Sequence, residues 1–112
     1  MNCKNCVIDN VKLDKLMTEL RFSIASARAS GFELVRLGFS EAEGVSNDAK
    51  LEAAVVKKLR ILKKEGVVQF FANNESFSKH TTEAIYLLNK YPELAADEAL
   101  TDSQKRVIFV RL

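Results

Sequence analysis

Two cysteines near the start of the sequence are spaced so that they could hold a metal ion or carry a redox reaction. Cys3 and Cys6 form a single Cys-x-x-Cys motif. A structural zinc ion takes four ligands, and the chain has no second cysteine pair and one histidine, His80. A redox pair would follow a strand and open a helix, whereas this pair precedes the first predicted strand. We therefore expect two reduced thiols near a loose N-terminal segment, residues 1–5, and no metal site. A zinc ion shared between two chains is the alternative.

The segment "VRLGFSEAEGVSND", residues 35–48, has the layout of a phosphate-binding loop. An apolar, β-leaning run stops at Gly38, a turn-rich loop follows, and an amphipathic helix comes next. Backbone amides after such a glycine and at the start of a helix can donate to a phosphate. The candidate donors here are Gly38, Ser40, Ser46 and Asn47. Glu41 and Glu43 lie in the same loop and would repel a phosphate.

The helix that follows this loop carries a basic stripe. Residues 49–66 hold six Lys or Arg against two Glu, a local charge balance of +4. At about 100° per residue, four of these cations fall opposite the apolar face of the helix. They are Lys50, Lys57, Arg60 and Lys64. They span about 21 Å along the helix, enough to follow a phosphate backbone. The alternative is an ordinary solvated helix face.

Four residues are candidates for acid–base or metal chemistry. Asp9 ends the first predicted strand, Glu41 and Glu43 lie in the glycine loop, and His80 lies near the start of the third predicted helix. Asp9 could converge with Asp14 on a metal ion, and His80 could act as an acid or a base. Capping and solvation are the simpler roles for all of these side chains.

The totals describe one small domain, residues 1–112, with little net charge. The chain has 47% apolar and 29% charged residues and a net charge of +2, which by itself does not indicate nucleic acid. Residues 91–104 hold four acids and no Lys or Arg, a local balance of −4. No apolar run approaches the ~20 residues that span a bilayer, and the N-terminus does not read as a signal peptide. We expect a cytoplasmic protein with no membrane partner.

The elements alternate between strands and helices. Apolar spacing and turn residues predict strands at 6–10, 32–37, 67–71 and 106–112, and helices at 11–30, 46–66 and 81–94, with loops at 72–80 and 95–105. Gly31 and Gly66 are predicted to end the two long helices in left-handed caps. This order predicts an α/β fold of the two-layer α/β sandwich type. We expect a four-stranded mixed, mostly parallel sheet with the two long helices on one face. The other face is expected to be solvated, or covered in part by the third helix.

The chain resembles the Smr (small MutS-related) domain family, in particular a short single-domain bacterial branch. The resemblance rests on "FELVRLGF", "AKLEAAVVKKLRILKKEGVVQFF", "NNESFSKHTTEAIYLLNKYPEL" and the terminal "VIFVRL", and it covers nearly all of the chain. It implies a fold like the C-terminal domain of translation initiation factor 3. It also implies a nucleic-acid context, since Smr domains bind DNA or RNA and some nick or cleave them.

The sequence departs from the motifs of that family. The family loop is His-Gly-x-Gly, and here the aligned residues are Leu37-Gly38-Phe39-Ser40, so that only the first glycine is kept. The family's Leu-Asp-x-His motif has no histidine counterpart. A leucine can neither transfer a proton nor donate to a phosphate. The sequence therefore predicts a domain that binds DNA or RNA without efficient cleavage and without a cofactor. Two alternatives stay open. One is a protein-interaction or homodimerisation module that uses an apolar sheet face or the acidic segment 93–102. The other is a residual metal-dependent nuclease.

Overall fold

The computed structural model describes residues 3–8, 15–39, 48–101 and 105–112. The elements are β1 (Cys3–Ile8), α1 (Leu16–Ala29), β2 (Leu34–Phe39), α2 (Asp48–Lys64), β3 (Phe70–Asn73), α3 (Asn74–Ser78), α4 (Thr82–Lys90), a 3₁₀ turn (Pro92–Ala96), α5 (Glu98–Thr101) and β4 (Val107–Arg111). The predicted order of strands and long helices is confirmed.

The four strands form one mixed sheet in the order β1-β2-β4-β3. β1 pairs with β2 in parallel, and β4 lies between β2 and β3 and runs antiparallel to both. Three strands thus share one direction, as the helical crossovers α1 and α2 require. β4 is reversed because the chain between β3 and β4 returns to the end of the sheet where β3 stops, so that Asn73 lies opposite Ile108.

The two long helices cover one face of the sheet, as predicted. α1 buries four apolar residues at spacings of four, four and three, and α2 buries three apolar residues. They are Leu16, Leu20, Ile24 and Ala27 of α1 and Val55, Leu59 and Leu62 of α2. These side chains pack on Val35 and Leu37 of β2 and on Ile108 and Val110 of β4. Each fully buried aliphatic side chain contributes about 1.5–3 kcal/mol, so this larger core accounts for most of the stabilisation.

The opposite face of the sheet carries a second, smaller core. Val107 and Phe109 of β4 are as fully buried as Ile108 and Val110. α4, the 3₁₀ turn and α5 cover them with Leu87, Tyr91, Leu94 and Ala99. The prediction that this face would be solvated is wrong, and the alternative of partial cover by the third helix is confirmed. A central strand buried on both faces reads as a continuous apolar run, which explains "VIFV".

Several boundaries differ from the sequence prediction for local reasons. β1 begins at Cys3, so residues 3–5 belong to the sheet and not to a loose segment. The predicted loop 72–80 contains α3, because the Oδ1 atom of Asn73 accepts from the Ser76 amide at 3.0 Å and caps a helix. Gly31 and Gly66 have φ of +84° and +80° and end the long helices as predicted. None of the described helices is both long enough and apolar enough to cross a membrane.

Candidate phosphate-binding groove

The basic stripe predicted on α2 is exposed to solvent. Lys50, Lys57, Arg60 and Lys64 are all exposed, and the seven-residue repeat of the three lysines places them along one line of the helix. None of the four forms an ion pair with a carboxylate of the described residues. The positive charge of the stripe therefore faces solvent, and no carboxylate of the described residues neutralises it.

Two of these cations also line a groove. Lys57 and Arg60 form part of the α2 wall of a cavity of about 570 Å³. β3 and α3 contribute Asn73 and Glu75, and Arg106 lies just before β4. The remaining lining residues are Glu52, Ala53 and Val56 of α2. Lys50 and Lys64 lie on the same stripe but do not line the groove.

Both acids of the groove are bonded to other side chains. Glu52 has a side chain 11% exposed and accepts from Arg106 Nη1 at 2.5 Å and from Asn73 Nδ2 at 3.0 Å. Glu75 accepts from Lys79 Nζ at 2.5 Å, one helical turn away. The Lys79 ammonium lowers the pKa of Glu75 below its usual range. Three lining cations therefore face two paired carboxylates, and the lining keeps a net charge of +1.

Sequence reasoning identified the α2 cations but not the groove residues that face them. Asn73 falls in the predicted loop 72–80, and Arg106 is the first residue of the last predicted strand. Glu52 was only one of two acids counted against the basic helix. No periodic signal links these three positions, because they meet only through the sheet order that brings β3 and β4 together. The one signal in the sequence is the position of Glu52, three residues before Val55 of the apolar face, where an acid needs a partner.

Gly38 lies inside β2 and not in a turn. Its register partners are Val7 on β1 and Val107 on β4, and the strand continues through Phe39, two residues beyond the predicted end. A Cβ atom at position 38 would lie 3.3 Å from Nη1 of Arg36, on the same face of the strand. The glycine thus makes room for the Arg36 guanidinium, and Gly38 does not line the groove.

The other sequence candidates divide into those that the structure places and those that it does not. Asp9, Ser40, Glu41, Glu43, Ser46 and Asn47 lie outside the described residues, as does Asp14. His80 is exposed in the turn between α3 and α4 with φ of +54°, one residue before Thr81, the N-cap of α4. Its amide donates to the Phe77 carbonyl at 3.3 Å, and its side chain does not line the groove.

The cysteine pair lies on β1, so its predicted position before the first strand is wrong. Cys3 packs against the smaller core and Cys6 against the larger one, because residues three apart on a strand point to opposite faces. Both thiols are free, and burial raises the pKa of each. Two side chains on opposite faces cannot hold one metal ion together. Among the described residues, no cluster of three or more His, Cys, Asp or Glu side chains could hold a metal ion.

The arrangement offers electrostatic binding of an anion that is longer than one phosphate. Its described lining has cations from two walls and no aromatic side chain. Comparison of the chain with protein-family models, with curated proteins and with solved structures found no match.

Proposed function

We propose that this protein binds the phosphate backbone of nucleic acid through the basic stripe of α2 and the groove beside it, without cleaving the strand. One observation carries the proposal. Lys57 and Arg60 are exposed in a groove whose two carboxylates, Glu52 and Glu75, are bonded to other side chains. The resemblance to Smr domains implies the same class of ligand.

The binding expected of this surface is electrostatic and independent of sequence. Lysine and arginine that neutralise phosphates release the counterions condensed on the nucleic acid, which supplies the free energy of binding. The described lining has no aromatic side chain on which a base could stack. We therefore expect binding that does not discriminate among bases.

A salt titration tests the proposal. If all four stripe cations contact duplex DNA, log Kobs falls with log salt at a slope of about −3.6, since each contact contributes about −0.9. Raising salt from about 50 to 200 mM would then weaken binding by about 150-fold. For a single strand, at about −0.7 per contact, the loss would be about 50-fold. Fluorescence anisotropy with labelled DNA and RNA, each single-stranded and duplex, would measure these slopes.

A double variant and a matched control locate the contacts. Lys57→Gln with Arg60→Gln removes two contacts and should make the salt dependence for duplex DNA shallower, with a slope smaller in magnitude by about 1.8. Arg21→Gln with Lys90→Gln removes the same two types of charge outside the groove and should leave the slope unchanged, apart from a small effect of net charge. Binding that is absent, or that does not change with salt, would refute the proposal.

The interaction-module alternative has less support from the structure. Helices cover both faces of the sheet at β4, and the large apolar side chain left exposed on a described strand is that of Val7, at the edge strand β1. In the acidic segment, Asp97 is bonded to Arg36 and Glu98 to Lys105. Size-exclusion chromatography with light scattering would reveal a homodimer, and a plasmid-nicking assay with Mg²⁺ or Mn²⁺ would reveal residual nuclease activity.

A further inference from the structure

We propose that Arg106 is a phosphate contact in the groove, additional to Lys57 and Arg60 and supplied by the segment just before β4. This inference rests on the proposed function and adds to it a residue outside the basic stripe. Arg106 lies just before β4 and lines the same groove as Lys57 and Arg60. A phosphate chain in the groove would therefore meet cations from two parts of the chain, α2 and the segment that leads into β4.

The hydrogen bonds of Arg106 leave most of its guanidinium available. Its Nη1 atom donates to Oε2 of Glu52 at 2.5 Å, and its remaining N–H groups have no partner among the described residues. The side chain is 41% exposed. Glu52 is itself fixed, because its Oε1 atom accepts from Asn73, which caps α3. The guanidinium is thus fixed through Nη1, whereas Nε and Nη2 have no partner among the described residues.

Two other arginines of the same protein each contact both carboxylate oxygens of their partner. Arg36 donates Nε and Nη2 to the two carboxylate oxygens of Asp97, at 2.8 and 2.9 Å. Arg21 contacts both oxygens of Glu65 through the single atom Nη2, each at 2.9 Å, and neither residue lines the groove. Arg106 contacts only one oxygen of its partner, because Asn73 takes the other. A guanidinium that is charged, oriented and mostly unpaired suits bidentate recognition of a phosphate.

A charge-neutral double variant tests this role. Glu52→Gln with Arg106→Gln removes one charge of each sign, so the net charge of the protein and its long-range attraction to nucleic acid are unchanged. If Arg106 contacts a phosphate, the duplex slope should become shallower by about 0.9, and the ratio of wild-type to variant affinity should fall by about 3.5-fold between about 50 and 200 mM salt. Arg21→Gln with Glu65→Gln is the matched control and should bind like the wild type.

The outcomes separate this inference from the function on which it rests. If the Lys57 and Arg60 variant weakens binding but the Glu52 and Arg106 variant behaves like its control, Arg106 is only a partner of Glu52 and the inference is wrong. If the wild type does not bind, the proposed function fails and this inference fails with it.

A measurement on the wild-type protein removes any dependence on the folding of the variants. The Nε–H signal of Arg106 in a ¹⁵N NMR spectrum should shift when duplex DNA is added, while that of Arg21 should not. No shift of the Arg106 signal at saturating DNA would overturn the inference even if the double variant did not fold.

Discussion

Replacing Asp97 with alanine is expected to lower the free energy of unfolding by about 3 kcal/mol, although the sequence places Asp97 in a polar connection. Its carboxylate accepts two hydrogen bonds from Arg36 of β2, at 2.8 and 2.9 Å. Its Oδ1 atom also accepts from the amide of Ala99, at 2.9 Å, which caps α5. The Asp97 side chain therefore joins α5, which helps to cover the smaller core, to β2 of the sheet.

The magnitude follows from burial and geometry. The side chains of Arg36 and Asp97 are 27% and 13% exposed. Breaking a fully buried pair costs about 3–5 kcal/mol and breaking an exposed pair costs about 0.2–1 kcal/mol, so about 2 kcal/mol is expected for this intermediate pair. The lost cap of α5 adds about 1 kcal/mol. For a chain of this size, the total corresponds to a fall in Tm of roughly 12 °C.

The same ion pair predicts how stability depends on pH. The Arg36 guanidinium holds the pKa of Asp97 below its usual range. A carboxyl group with a lowered folded-state pKa contributes stability above its unfolded pKa of about 3.9 and loses it as the pH falls through the folded value. Wild-type stability should therefore decline below about pH 4 more steeply than that of Asp97→Asn, which lacks this titration.

Urea unfolding followed by circular dichroism would measure these differences. A double-mutant cycle of Asp97→Ala with Arg36→Met should give a coupling energy of about 2 kcal/mol. Glu65→Gln, in the exposed pair with Arg21, is the control and should cost about 0.5 kcal/mol or less. If Asp97→Ala costs less than about 1 kcal/mol and does not change how stability declines below about pH 4, the Asp97–Arg36 pair does not hold the 3₁₀ turn and α5 on the sheet.

Three further changes test other parts of the fold. Tyr91→Phe removes a hydrogen bond to Glu33 of 2.9 Å and should cost about 1 kcal/mol in urea unfolding. Burial and this bond raise the pKa of Tyr91 to about 12, so wild-type stability should fall as the pH rises above about 10, and the variant should lack that part of the fall. His80→Gly should keep or raise the melting temperature, because φ at this position is +54°, whereas His80→Val should lower it. Cys3 and Cys6, whose pKa values burial raises, should react with iodoacetamide more slowly than free cysteine at pH 7 and form no disulfide with each other under mild oxidation, and rapid alkylation or that disulfide would contradict their placement on β1.

Prediction from the sequence succeeded where the signal is local. The spacing of the apolar residues predicted both long helices, and the positive φ of Gly31 and Gly66 confirms their predicted ends. Prediction failed where one residue type is compatible with two local structures, such as a loop and a helix cap. Asn73 falls in a predicted loop, yet it ends β3 and its side chain caps α3, because the Ser76 amide three residues on donates to it.

The chemical candidates divide in the same way. The basic stripe of α2 can be predicted from the sequence, because a helix repeats every 3.6 residues and the spacing of the four cations places them on one face. The reason for the glycine at position 38 is not visible. It concerns the side chain of Arg36, which lies beside Gly38 because both residues point to one face of β2.

By itself, the sequence determined that this chain forms strands joined by two amphipathic helices and that the second helix exposes a row of cations, because both properties repeat with the period of a single element. Only the tertiary structure decided that the last strand enters the middle of the sheet, that this strand is buried on both faces, and that Arg106 lines one groove with Lys57 and Arg60. These features join residues that are far apart in the chain: Arg106 lies 49 positions after Lys57, and Arg111 of β4 pairs with Leu34, 77 positions earlier. No periodicity within one element encodes such a contact, because it depends on which strands become neighbours when the chain collapses around a common core.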